Sequence, residues 1–155
     1  MMLPTARERL LPLTDSRRDV LRLPAQAASV GVVRRQVRAT LSRWALDRVG
    51  DDACLVVTEL FTNAVLHSGS DHVTCALWTG EGLLHIEVTD QGDRAAGPAM
   101  RRAGDGEENG RGLVLVSHLA QQWGVVHPGS GAGRTVWAAL ACGGVPLQKG
   151  ARRAG

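Results

Sequence analysis

The chain has 155 residues, a length that suits one domain with a buried core. Apolar residues make up 44% and charged residues 21%, as in an ordinary globular protein, and a net charge of +3 is too small to argue for a nucleic-acid partner. The aromatics are few and not interleaved with basic residues as in single-strand binders. No run approaches about 18 consecutive apolar residues, and no secretory segment with a cleavage site opens the chain, so the expectation is a cytoplasmic protein with no membrane and no direct nucleic-acid partner.

Residues 1–18 mix Pro, Arg, Thr and Asp without periodicity and read as a flexible leader to a domain spanning 19–142, with 143–155 as a flexible tail. Residues 19–24 alternate and stop at Pro24, as an edge strand does. Residues 27–47 carry an apolar stripe at helical spacing (Val30, Val33, Val37, Leu41, Trp44, Ala45), with Arg34, Arg35, Arg38 and Arg43 mostly off it, where solvation is the plain expectation. The break at 49–52 supplies an N-cap for a second helix. There Ala53, Val56, Val57, Leu60, Ala64 and Val65 form the buried face, and the helix ends near Ser68-Gly69-Ser70.

Residues 72–78 and 83–89 alternate around Thr79-Gly80-Glu81-Gly82, a hairpin pattern. Residues 91–110 then hold five Gly and no apolar periodicity, which marks a functional or disordered loop rather than core. Gly110-Arg111-Gly112 opens a third helix, 123–126 reads as a strand, 128–133 as a tight turn and 135–141 as the last strand. Cys54, Cys75 and Cys142 form no C-x-x-C pair and lie in apolar surroundings, so core thiols are expected. Strands with helices clustered between them indicate an α+β fold, a two-layer α/β sandwich with a mixed sheet and helices on one face. Neither GxxxxGK[ST] nor GxGxxG occurs.

Three polar features fall at element ends. Glu59, Asn63 and His67 are four apart and share one helical face, so a carboxylate and a carboxamide point the same way. The carboxylate suits general-base work and the amide oxygen suits a hard cation. Asp90 closes an alternating strand, where it could accept from an exocyclic amine, and Gly110-Arg111-Gly112 begins a helix, where free N–H groups suit phosphate. Each feature alone is commonplace: such Glu and Asn residues are usually solvated, and such glycines usually mark loops. Their joint occurrence in this order is not.

At these residues the chain resembles the GHKL (Bergerat-fold) superfamily of gyrase, chaperone and histidine-kinase ATPases, and within it the anti-sigma-factor serine kinases. Glu59-x-x-x-Asn63-Ala64-x-x-His67-Ser68 matches the N box of that family, and Val88-Thr89-Asp90-Gln91-Gly92 its first glycine box. Gly110-Arg111-Gly112-Leu113 and Leu119-Ala120-x-x-Trp123-Gly124 match the second glycine box and the segment after it, and Gly133-Arg134-Thr135-Val136-Trp137 the closing strand. The resemblance implies a fold of the histidine-kinase/gyrase ATPase type that holds ATP and Mg2+ beneath a lid at 91–110. It implies Glu59 as general base, Asn63 on magnesium, Asp90 on the adenine amine, Gly110 and Gly112 on phosphate and Thr135 near the base, with His67, Gly92, Arg111 and Leu113 as further nucleotide-binding positions.

Arg94 stands where the first box usually has a second glycine, and no phosphoacceptor domain or transmembrane sensor is present, so a complete sensor histidine kinase is not expected. The function implied is an ATP-dependent serine/threonine protein kinase in transcriptional regulation, phosphorylating or sequestering an anti-anti-sigma-like antagonist, with a sigma factor as a second protein partner and homodimers as in relatives. The alternative is a nucleotide-sensing protein-binding module without phosphotransfer.

Overall fold

The computed structural model of the chain describes residues 17–67, 69–91, 112–127 and 133–142. Gly92, Gly110 and Arg111, most of the expected lid, most of the leader and the tail lie outside the described residues.

Strand β1 (Arg18–Pro24) alternates, with Asp19, Leu21 and Leu23 turned to the helix side and Arg18, Val20, Arg22 and Pro24 exposed. Helix α1 (Ala28–Arg43) buries Val33, Val37 and Leu41. It stops short of the expected residue 47 because its C-terminus folds into a Schellman motif. Leu46 N–H donates to the Leu41 carbonyl and Ala45 N–H to that of Ser42, with Ala45 left-handed at φ 60°. A single 3-10 turn (Asp47–Val49) feeds straight into α2 (Gly50–His67). The expected N-cap is thereby corrected: Asp51 and Asp52 lie inside the first turn, where their charge favours the positive helix end.

Strands β2 (His72–Gly80) and β3 (Leu83–Asp90) form the expected hairpin. Its two-residue turn has Glu81 and Gly82 both at positive φ (56° and 76°), the backbone that matches strand twist. The described part of a third helix, α3 (112–119), leads to β4 (Gln122–Val126) and β5 (Arg134–Ala141).

The sheet order is β1-β2-β3-β5-β4 and every pairing is antiparallel. The mixed sheet expected from sequence is corrected here. One crossover helix returns the chain parallel to the strand it left, whereas the two helices between β1 and β2 bring it back antiparallel. The α+β class, with helices packed on one face of the sheet, stands as read from the sequence.

The core lies between that face and the helices. Val56, Val57, Leu60, Phe61 and Ala64 of α2 meet Val73, Leu77, Leu84, Ile86, Val88, Val136, Ala138 and Leu140 of the strands, and Val116 of α3 is fully buried among them. Cys54 and Cys75 are buried free thiols and Cys142 is half-buried. On the other face the Trp78 ring stacks on His85 at 3.5 Å, and the Trp137 indole lies so close to Gly124 that an added Cβ there would sit 3.0 Å from it.

Candidate functional site

The buried stripe of α2 fixes its rotation, and that rotation places Glu59, Asn63 and His67 along one half-buried edge. The described turn of α3 at Gly112 closes onto this edge. A Cβ built on buried Gly112 would lie 2.8 Å from Glu59 Oε1 and 3.7 Å from Asn63 Nδ2. Backbone and carboxylate therefore meet at a distance only glycine permits. Leu113 beside it is partly buried against the core and anchors this turn of the helix.

The second centre is the end of β3. Asp90 continues the inward phase of Leu84, Ile86 and Val88, so its carboxylate faces the helix layer, and the residue is only 5% exposed. α2 and β3 stop at the same end of the molecule, because β2 begins opposite the end of β3, with Val73 paired to Asp90. That end is laced by Gln91, whose Oε1 accepts from the Asp71 and His72 N–H groups (2.9 and 3.3 Å) and whose own N–H donates to Ser70 Oγ (2.7 Å).

Strand register decides what stands beside Asp90. Its direct partner on β5 is Arg134, with Nε 3.5 Å from Asp90 Oδ2. Thr135 pairs instead with Thr89, the two hydroxyls 2.7 Å apart. Both threonines belong to the opposite face, so Arg134 rather than Thr135 stands beside Asp90. Sequence reasoning passed over Arg134, although counting back by twos from the inward positions Leu140, Ala138 and Val136 reaches Arg134 rather than Thr135.

Glu59, Asn63 and Gly112 thus stand together, Asp90 stands at the end of the sheet toward which α2 runs, and Leu113 and His67 flank the group. Gly92, Gly110 and Arg111 lie outside the described residues. A carboxylate, a carboxamide, a helical turn free of side chain at Gly112 and a strand-end carboxylate fit a phosphorylated ligand with an amine-bearing base. Among the described residues no group of three or more His, Cys, Asp or Glu could hold a metal by itself.

These features define a two-layer α+β nucleotide-binding domain. The histidine kinase-like ATPase domain model matches residues 23–140, and the chain belongs to that family. No curated protein matches the chain. No helix among the described residues is long and apolar enough to cross a membrane.

Proposed function

We propose that this chain binds Mg-ATP and acts as a regulatory protein similar to anti-sigma-factor serine/threonine kinases, phosphorylating or sequestering an anti-anti-sigma-like antagonist, with a sigma factor as a further partner. The observation that carries this reading is the close approach of Gly112 to Glu59 and Asn63, because it sets a helical turn without a side chain, a carboxylate and a carboxamide around one point. The first-turn N–H groups of α3 would receive phosphate oxygens, and Asn63 would share a magnesium ion with them. Bound Mg-ATP supplies the transferable phosphoryl group, with the cation offsetting its charge. Glu59 would take the proton from the acceptor hydroxyl, and Asp90 would accept from the base amine.

Thermal melts with and without Mg-ATP test the pocket. Ligand at about 100 times its dissociation constant stabilises by roughly 2.7 kcal/mol, which for a chain of this size raises Tm by roughly 5–10 °C. Asn63→Ala should abolish the magnesium-dependent part of that shift, and the absence of any shift at millimolar nucleotide would end the reading. Glu59→Ala should keep the shift and lose transfer of the γ-phosphate to the antagonist. If the wild type binds nucleotide and transfers nothing, the chain is a nucleotide-sensing binding module.

A further inference from the structure

The Asp90–Arg134 pair has a geometry that strand locking alone does not call for. Register makes the two residues direct partners at the end of β3 and β5, with side-chain exposures of 3% and 16%. At 3.5 Å the contact is too long and too poorly directed for a good hydrogen bond, and Arg134 Nε is buried with no hydrogen-bond partner among the described residues. A buried Nε–H left without an acceptor is costly and calls for an explanation, and a ligand atom that accepts from the guanidinium is one.

The pair itself defines the chemistry of that ligand. An ionised carboxylate only accepts and a guanidinium only donates, so side by side they present an acceptor next to a donor. Adenine presents the complement on either edge: the N6 amine donates, and N1 or N7 beside it accepts. We propose that Arg134 is a second base-reading residue, donating to the ring nitrogen next to the amine that Asp90 accepts from. This rests on the Mg-ATP reading above and adds to it a specificity-determining contact. The backbone holds the pair in place: Gly133 (φ 94°) passes so close that a Cβ there would lie 2.7 Å from the Asp90 carbonyl oxygen. Guanine would meet the same pair through O6 and N1–H, so deaza analogues of ATP, rather than GTP, discriminate.

The experiment is calorimetric titration of the full chain with Mg-ATP, Mg-1-deaza-ATP and Mg-7-deaza-ATP. The wild type should bind one deaza analogue about tenfold or more weakly than ATP, as loss of a hydrogen bond to a charged group implies. Arg134→Met should weaken ATP by a similar factor and no longer distinguish that analogue, while Arg134→Lys, which keeps a donor, should retain part of the discrimination. Equal wild-type affinity for all three nucleotides overturns the assignment and leaves the ATP reading standing. Tighter ATP binding by Arg134→Met also overturns it, since the guanidinium would then obstruct the base. No binding of any nucleotide by the wild type sinks both. The wild-type series needs no variant, so a poorly folding substitution leaves the test intact.

Discussion

Gly112 bears no side chain because the Glu59 carboxylate occupies the space where one would go. The obstructing atom is the far end of a flexible side chain, so Gly112→Ala should fold, with Tm within a few degrees of the wild type. The added methyl displaces Glu59 by a few tenths of an ångström or more. Phosphotransfer should therefore fall by about tenfold or more while CD spectra remain unchanged, and unaltered transfer would show that Glu59 need not stand there. Ala45 makes the opposite point. It closes the Schellman motif in a left-handed conformation that costs a Cβ-bearing residue about 1–2 kcal/mol. Part of that gain is offset by the freedom glycine has in the unfolded chain. Ala45→Gly should stabilise by about 0.5–1 kcal/mol, read as a higher urea midpoint at unchanged slope.

At the scale of elements, β1 is an edge strand that pairs, among the described residues, with β2 alone, and its attachment to α1 is partly polar. Asp19 Oδ2 accepts from Thr40 Oγ1 and from Gln36 Nε2, and Thr40 is fully buried. Removing the carboxylate leaves a buried hydroxyl without its acceptor, so Asp19→Ala should destabilise by about 1–3 kcal/mol. Adding Thr40→Val should recover part of that loss, because deleting both partners costs less than orphaning one. A double-mutant cycle by denaturant melts checks this, and strictly additive losses would mean the bond contributes nothing. Helix α2 shows how an element carries function: one stripe packs the sheet, and the edge beside it holds Glu59, Asn63 and His67. Local periodicity is enough to read such a face, since helix pitch fixes it without reference to the rest of the fold.

The described residues form a single sheet covered by helices, and alkaline stability should reflect how deeply that layer is sealed. Burial pushes the Cys75 thiol up to about 12 from the usual 9.0, with Asp19 and Glu87 adding to the shift. Between these values the unfolded chain has lost a proton that the folded chain keeps. This contribution to stability is complete below about pH 9, declines as pH rises and is gone above about 12, with a slope of up to about 1.4 kcal/mol per pH unit. The window is open to measurement because the chain has no Tyr and Lys149 is its single lysine. Cys75→Ala should flatten the fall in urea stability across it, and an unchanged slope would place the titrating group elsewhere, Cys142 being shifted the same way.

The class of fold, the hairpin and the Glu59/Asn63/His67 face were legible in the sequence because each rests on interactions within a few residues: helix pitch, strand alternation and a turn that needs left-handed residues at Glu81 and Gly82. The end of α1 and the start of α2 were not, since the Schellman motif at Ala45 has no glycine at its left-handed position and the 3-10 turn after it has no side-chain cap. Beyond the hairpin, pairing was not legible either. The sequence alone allowed a mixed sheet, and only the assembled sheet inserts β5 between β3 and β4 and so makes Arg134 the neighbour of Asp90. A one-residue change of register exchanges the two faces of a strand, and that register is settled by packing between segments far apart in the chain. The approach of Gly112 to Glu59 belongs to the same category, because it needs α3 to be seated on the core by Leu113 and Val116 before the two residues can meet.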